Sequence, residues 1–139
     1  MSKDQKIEAL KAIGIFSGCT DKELASIANV TEWVSVPEGH KLLTEGHVGH
    51  DMFVLDSGTA DVQIGGGTIA TVKQGDVVGE LGLVDGKRAS ATVVANQDVE
   101  GWLVPRRGFL PLLEADPALA RPLLDAVIEK LRATDEQLH

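Results

Sequence analysis

The amino-acid sequence predicts an antiparallel β-sandwich or barrel with helices at both ends of the chain. The central part, from residue 31 to 104, contains about eight short runs with the composition or alternation of β-strands. These runs are followed by Gly, Pro or Asp turn signals. Short strands at this spacing favour a sandwich or barrel over βαβ units. Amphipathic helical patterns precede and follow this part of the chain.

Two amphipathic helices are predicted in residues 1–30. The first has apolar residues at helical spacing with charged residues between them, namely Ile7, Leu10 and Ile13. Residues 15–18 break this pattern. A capping box follows, with Thr20 as N-cap and Glu23 three residues later, and a second apolar stripe comes after it. We expect both helices to pack on a neighbouring element rather than on a membrane.

The predicted strands are short and rich in Val, Ile, Leu and Thr. They cover residues 33–36, 41–43, 52–55, 60–64, 68–72, 77–78, about 90–95 and 99–104. The three glycines at 65–67 are predicted to form a hairpin tip between the fourth and fifth strands. Trp33 and Trp102 are expected to be core or strand-pair residues rather than platforms on which bases stack.

Helical patterns return after Pro105. A short apolar face predicts a first helix: Phe109, Leu112 and Leu113. Asp116 and Pro117 have the pattern of an N-cap followed by proline at N1, and a longer apolar stripe follows them. Pro122 lies inside this stripe. It would either kink the second helix or mark its real start, since proline cannot donate the i−4 hydrogen bond.

Composition and charge limit the classes of function. The chain has 139 residues, enough for one domain with a substantial core, and a formal net charge of −8. This charge argues against binding to nucleic acid or to an anionic membrane surface. Cys19 is the single cysteine, so no internal disulfide can form, which fits a reducing compartment. The sequence shows no signal peptide and no membrane-spanning run, so we expect a cytoplasmic protein.

Residues 79–92 combine what an anion-binding pocket needs. Glycines and small side chains let backbone N–H groups approach a phosphate closely. Arg88 offers a rigid fork of donors for phosphate oxygens. Glu80 accepts but does not donate when ionised, so it suits a sugar hydroxyl. We therefore predict a phosphate-and-sugar site in a β-protein, and the alternative is a glycine-rich turn in a sandwich without a ligand.

The order of elements around this stretch resembles the cyclic nucleotide-binding domain family over nearly the whole chain. The features that carry the resemblance are a glycine-punctuated hairpin at 45–62, Gly-Glu-Leu-Gly-Leu at 79–83, and Gly-Phe-Leu-Pro-Leu-Leu at 108–113. The resemblance implies one domain over 1–139, folded as an antiparallel β jelly-roll sandwich of about eight strands. It would comprise N-terminal helices over 1–30, the jelly roll over 31–104 and two C-terminal helices over 105–139.

The family's ligand contacts map onto this sequence by position. The backbones of Gly79, Leu81 and Gly82 would donate to a cyclic phosphate at the start of a short helical turn. Glu80 would accept from the ribose 2′-hydroxyl. Ser90 would contact the phosphate through its backbone and hydroxyl. We refer to residues 79–92 as the cassette.

The arginine of the family's phosphate site is displaced in this sequence. The family pattern ends in Pro-Arg-(Ala/Ser)-Ala-Thr, whereas this chain has Lys-Arg-Ala-Ser-Ala-Thr at 87–92. Aligned without a gap on Glu80 and Thr92, the arginine position is Ala89, and Arg88 falls where proline usually stands. A one-residue slip turns a side chain to the other face of a strand. A bulge would return Arg88 to the pocket, whereas loss of this donor would cost about 1.5–3 kcal/mol.

The resemblance implies a sensor, not an enzyme, that reversibly binds cyclic AMP or cyclic GMP and has no cofactor. Ligand would bias the position of the helix from about residue 117 to residue 131. The output would pass through a separate effector protein, through self-association, or through a further part of a longer protein. The first alternative is a degenerate member of the family, without nucleotide affinity, that serves in protein interaction or dimerisation.

The second alternative is a metal-dependent enzyme of the cupin type, because cupins share this barrel shape. Cupins need a close His-x-His pair with a glutamate and a later histidine on facing strands. Three of the four histidines are candidates: His40, and His47 and His50 in a turn, a placement that favours surface residues over metal ligands. No serine has a plausible His–Asp pair, so nucleophilic catalysis is not supported.

Overall fold

The computed structural model describes residues 2–48 and 51–138, apart from the side chains of residues 81, 84, 127, 130, 131 and 133–138. The chain divides into two compact units. The helical unit contains the chain up to residue 30 and from residue 110 onward, and the sandwich unit contains residues 31–109.

The helices lie near the two ends of the sequence, with one short exception. They are α1 (Lys3–Lys11), α2 (Asp21–Val30), α3 (Glu80–Asp85), α4 (Arg106–Ala115) and α5 (Ala120–Leu138). Single 3₁₀ turns cover Gly14–Phe16 and Pro117–Leu119. In the helical unit, Leu10, Ile13, Leu24 and Ile27 are almost fully buried, which supports the apolar stripes predicted for the N-terminal helices. Among the described residues, no helix is long and apolar enough to span a bilayer.

The predicted capping box at the start of α2 is confirmed. The Thr20 backbone N–H donates to Glu23 Oε1 at 2.8 Å, and the Glu23 N–H donates to Thr20 Oγ1 at 3.2 Å. These bonds satisfy two of the donors that a helix start leaves without partners inside the helix. A second capping box, which the sequence analysis missed, joins Ser2 and Gln5 at the start of α1.

The start of the last helix differs from the prediction in one respect. Asp116 stands at the N-cap position and Pro117 follows it, but they open a 3₁₀ turn and the Asp116 side chain makes no capping hydrogen bond. Helix α5 begins three residues later, at Ala120. Pro122 therefore lies in the first turn of α5, where a backbone N–H has no helical partner to lose. Of the two alternatives, the second is closer: Pro122 lies at the start of the helix and does not interrupt its interior.

Cys19 is expected to react slowly with alkylating reagents. Burial, together with the negative charge of Glu23, raises the pKa of the Cys19 thiol from 9.0 to about 11. At pH 8 the thiolate fraction, and with it the alkylation rate, should be about 100-fold lower than for an unperturbed thiol. The measurement is the rate of iodoacetamide labelling with and without urea. A rate for the folded protein within threefold of the unfolded one would contradict this.

The central part of the chain forms a sandwich of two antiparallel sheets. The strands are β1 (Glu32–Val36), β2 (Lys41–Leu43), β3 (Met52–Ser57), β4 (Ala60–Ile64), β5 (Gly67–Val72), β6 (Val77–Val78), β7 (Thr92–Ala95) and β8 (Val99–Val104). One sheet has the order β1-β8-β3-β6 and the other β2-β7-β4-β5. The predicted fold class, an eight-stranded antiparallel jelly-roll sandwich with helices before and after it, is confirmed.

The sandwich core lies between the inward faces of the two sheets. Its buried residues are Phe53, Leu55, Ala60, Val78, Val93, Ala95 and Val99. In the second sheet, Ala60 pairs with Ala95 and Val62 pairs with Val93. Directly paired residues share one face of an antiparallel sheet, so this register fixes which side chains of β4 and β7 face inward.

The two tryptophans form a cross-strand pair, as predicted. Trp33 on β1 lies directly opposite Trp102 on β8. Their ring centroids are 4.7 Å apart and the ring planes are 72° apart, which is an edge-to-face arrangement. Such a pair stabilises a sheet beyond its buried area by roughly 0.5–1.5 kcal/mol. The two rings therefore contact each other within the first sheet.

Candidate functional site

The cassette begins with a glycine that no other residue can easily replace. Gly79 caps α3 with φ 80° and ψ 11°, in the left-handed region. A side-chain Cβ at this position would overlap the backbone carbonyl oxygen of Asp51 and approach Met52 Cα to 3.5 Å. The start of α3 therefore lies directly against the beginning of β3, and the absence of a side chain allows this approach.

Helix α3 is short and anchored at both ends. The Leu83 N–H donates to the Gly79 carbonyl at 3.1 Å, and the Gly86 N–H donates to the Gly82 carbonyl at 3.1 Å. The Leu83 side chain is fully buried. Glu80 stands in the first turn and is half-buried. Leu81 and Gly82 follow it in the same turn, so four of the predicted site residues share the start of one helix.

The second half of the cassette pairs with a loop more than forty residues earlier. The Ala89 N–H donates to the His47 carbonyl at 2.9 Å, and the Gly46 N–H donates to the Ala89 carbonyl at 2.9 Å. Arg88 forms an antiparallel bridge with Val48. We call this contact between residues 46–48 and residues 88–89 the clasp.

Burial alternates along the segment that follows α3. Arg88 and Ser90 are exposed, whereas Ala89 and Ala91 are each 9% exposed. Val93 continues the buried series into the sandwich core. The alternation places Ala89 on the inward side of the segment and Arg88 on the outward side.

The Arg88 side chain has a partner within the clasp. Its Nη1 donates to the Gly46 carbonyl oxygen at 2.8 Å. Within the described part of the chain, Arg88 has no carboxylate within salt-bridge distance. The Arg88 guanidinium thus donates to a neutral backbone oxygen, and the side chain stays at the surface of the protein. From the sequence, Arg88 was expected to contact a phosphate, and its neighbours at residues 46–48 could not be identified.

Residues 46–48 and 51–52 contact both halves of the cassette. Residues 46–48 form the clasp with residues 88–89, and Asp51 and Met52 lie against Gly79. No spacing rule links these positions, because the pairs are 27 to 43 residues apart in sequence. The glycine after Glu45 was a signal only for a turn: Gly46 has φ 85°, in the left-handed region, and a Cβ built there would meet nothing within 4 Å.

An apolar part of the second sheet is uncovered next to the cassette. Val62 faces the core, and Ala70 on β5 pairs with it. Ile64 lies two residues further along the same face and is 47% exposed, and Ala70 is exposed as well. Gln63 pairs with Thr92, so Ile64 lies at the level of the end of the cassette. We call Val62, Ile64 and Ala70 the open face.

One further cation lies close to α3, at its other end. The Arg106 guanidinium packs against Gly86, the C-cap of α3, and the Arg106 backbone N–H donates to Asp51 Oδ1 at 2.8 Å. The Arg106 Nε is buried and has no hydrogen-bond partner within the described residues. A cation at a helix C-terminus complements the negative end of the helix dipole. The Arg106 guanidinium is therefore placed to stabilise α3, and it lies at the end of the helix opposite the first turn.

The histidines do not assemble into a metal site in the described part of the chain. His40 and His47 are both exposed, and His50 lies outside the described residues. No group of three His, Cys, Asp or Glu side chains among residues 2–48 and 51–138 is arranged to hold a metal ion.

Comparison with known proteins gives consistent matches. Residues 33–116 match the family model described as "Cyclic nucleotide-binding domain". A cAMP-dependent protein kinase regulatory subunit of Aspergillus niger is 35% identical over 106 residues, which cover 75% of this chain and 26% of that protein. An uncharacterized NTE family protein of Mycobacterium tuberculosis is 31% identical over 125 residues, which cover 89% of this chain and 21% of that protein.

A solved structure also matches over most of its length. It is the N-terminal domain of a transcriptional regulator from Streptomyces coelicolor, with a TM-score of 0.77 and 26% identity over 92% of this chain and 95% of that chain. The two curated relatives are much longer: this chain spans 26% of one and 21% of the other.

Proposed function

Because the chain belongs to the cyclic nucleotide-binding domain family, we propose that it is a regulatory module that reversibly binds a cyclic mononucleotide, cyclic AMP first. The observation that carries the proposal is the cassette itself. Its glycine-capped α3 brings Gly79, Glu80 and Gly82 together at one point of the sandwich unit. The kinase regulatory subunit similar to this chain is named for its dependence on cyclic AMP, which favours the adenine nucleotide.

In the proposed complex the cyclic phosphate lies at the start of α3. The N–H groups of a first helical turn have no carbonyl partner within the helix, so the backbones of Gly79, Leu81 and Gly82 can donate to phosphate oxygens. The segment from Arg88 to Ser90 would close the pocket from the other side. The ring of the nucleotide would cover the open face, where the Ile64 and Ala70 side chains are exposed.

The Glu80 carboxylate is proposed to hold the ribose. It is half-buried and acceptor-only when ionised, so its natural partner in this ligand is the 2′-hydroxyl. A hydrogen bond to a charged acceptor contributes roughly 1.5–3 kcal/mol. Binding without this hydroxyl should accordingly be weaker by one to two orders of magnitude, about 10- to 100-fold.

A Glu80→Gln variant tests this proposal by calorimetry with cyclic AMP and 2′-deoxy cyclic AMP. The parent protein should prefer the ribose form about tenfold or more, and Glu80→Gln should reduce that preference to about threefold or less. Asp85→Asn in the same helix is the matched control and should retain the parent preference. Equal preference in the parent and in Glu80→Gln would remove Glu80 from the site.

The signal is proposed to leave through the C-terminal helices. Helix α4 begins at Arg106 within the sandwich unit, and the chain passes into the helical unit at residue 110. A change at the cassette would thus be transmitted along the chain to α5, and from there to a separate effector, a second copy or a further part of a longer protein.

A second candidate function is supported by the outward position of Arg88 and the small side chain of Ala89. A cassette without an inward arginine would suit a degenerate domain that serves only in protein interaction or dimerisation. The same calorimetry separates the two. Absence of heat and of any thermal shift with cyclic AMP and cyclic GMP at millimolar concentration would reject the sensor and favour this candidate.

A further inference from the structure

The tip of the β4–β5 hairpin is built from glycines. Gly65 and Gly66 have φ 59° and 86°, and a Cβ built at either position would meet nothing within 4 Å. Glycine has more conformational freedom than any other residue, and it has no side chain with which to pack. Strand β4 pairs with β7 as far as Gln63 opposite Thr92, and Ile64 and Gly65 extend beyond that pair. The position of the tip relative to the cassette can therefore be set by a bond from outside the hairpin.

Glu45 supplies such a bond. The Gly65 N–H donates to Glu45 Oε1 at 3.2 Å, across 20 residues of sequence. The Glu45 backbone N–H donates to Thr92 Oγ1 at 2.9 Å, at the end of the cassette. The next residue, Gly46, belongs to the clasp and donates its N–H to the Ala89 carbonyl at 2.9 Å. Glu45 thus joins the hairpin tip, through its side chain, to the cassette, through its backbone. We call the bond from Gly65 to the Glu45 carboxylate the tether.

We infer that Glu45 is a positioning residue of the ligand site, which keeps Ile64 of the open face beside the cassette through the tether. The inference rests on the proposed function, in which the ring of the nucleotide covers the open face. Ile64 directly precedes Gly65 and is 47% exposed, so a shift of the tip moves apolar surface that the ring would bury. Loss of the tether should therefore weaken the contact with the ring and leave the ribose contact of Glu80 unchanged.

The first measurement needs no ligand. Amide hydrogen exchange of Gly65, followed by NMR, should be about 3- to 10-fold faster in Glu45→Ala than in the parent, because a hydrogen bond protects the amide. Glu45→Gln keeps an oxygen acceptor at the same place, so its exchange should stay within about twofold of the parent. Glu38→Ala is the matched control, because it removes an exposed carboxylate before β2 instead of after it. Equal exchange of Gly65 in the parent and in Glu45→Ala would overturn the inference.

The second measurement is calorimetry with cyclic AMP and 2′-deoxy cyclic AMP. Glu45→Ala should weaken cyclic AMP binding about 3- to 10-fold, and Glu45→Gln and Glu38→Ala should bind within about twofold of the parent. The preference of Glu45→Ala for the ribose form over the deoxy form should equal that of the parent.

The outcomes separate the inference from the proposed function. Unchanged cyclic AMP affinity in Glu45→Ala would overturn the inference while the sensor function stands. A ribose preference that falls together with the affinity would do the same, because Glu45→Ala would then disturb the cassette as a whole. No binding of cyclic AMP by the parent would reject the proposed function and the role of Glu45 in it, and the exchange of Gly65 would still decide whether the tether forms.

Discussion

Gly79→Ala is expected to abolish ligand binding and to lower the free energy of unfolding by about 3 kcal/mol. Two effects add at this position. A left-handed φ of 80° is strained for any residue with a Cβ, and that Cβ would also overlap the Asp51 carbonyl oxygen. The overlapping group is backbone at the start of β3, so it cannot move aside as a flexible side chain would. Relief requires the start of α3 to shift, which moves the proposed phosphate donors.

The matched control for this variant is Gly75→Ala. Gly75 has φ 88°, and a Cβ built there meets nothing within 4 Å, so this variant reports backbone strain alone. It should cost about 1–2 kcal/mol and leave ligand affinity unchanged. Urea unfolding followed by tryptophan fluorescence measures the free energy of unfolding of both variants, because Trp33 and Trp102 lie in the sandwich unit. Equal losses of unfolding free energy in Gly79→Ala and Gly75→Ala would show that the Asp51 carbonyl leaves room for a Cβ at position 79.

Phe53→Ala is expected to cost about 3–5 kcal/mol, a large share of the stability of a typical domain. Phe53 is 2% exposed and belongs to the sandwich core. It pairs with Val78 on β6 and with Leu103 on β8, so it lies between the two strands that flank β3. A cavity here loosens β6, which leads directly into Gly79. Ligand affinity should therefore fall together with stability.

The control for Phe53→Ala is Ile69→Ala on the edge strand. Ile69 is 62% exposed, so its truncation should change the free energy of unfolding by no more than about 0.5 kcal/mol. Urea unfolding at constant m-value compares the two variants. A loss of less than 1 kcal/mol in Phe53→Ala would mean that the core closes around the missing ring.

The strands could be predicted from the sequence because alternation and turn residues are local signals. The predicted bounds of β4 and β8 match the structure at both ends, and β6 was found from only two valines. Strand β7 begins at Thr92, two residues later than expected: Ser90 and Ala91 form a bend, and Arg88 and Ala89 before them pair with residues 46–48 instead of with a neighbouring strand. A local sequence pattern cannot predict this pairing, because the partner residues are distant in sequence.

The candidate site was predicted in part for the same reason. The turn of α3 with Gly79 and Glu80 follows from residue types that are adjacent in sequence. The sequence also showed that Arg88 is displaced by one position from the family pattern. It could not show that the Gly46 carbonyl is the acceptor for Arg88, because that contact depends on a loop 42 residues away. Contacts of this kind are determined by tertiary packing, which residue periodicity does not encode.

Strand β5 lies at the free edge of its sheet, and five of its six residues are exposed. An exposed edge presents unpaired backbone donors and acceptors, and these can recruit a strand of another molecule and start aggregation. Ile69 interrupts that row, since Val62 pairs with Ala70 and Gln63 pairs with Thr68, which leaves Ile69 as a bulge. A bulge twists the edge and breaks its regular spacing. The chain should thus remain dispersed at high concentration even though Ile69 and Ala70 face water at this edge.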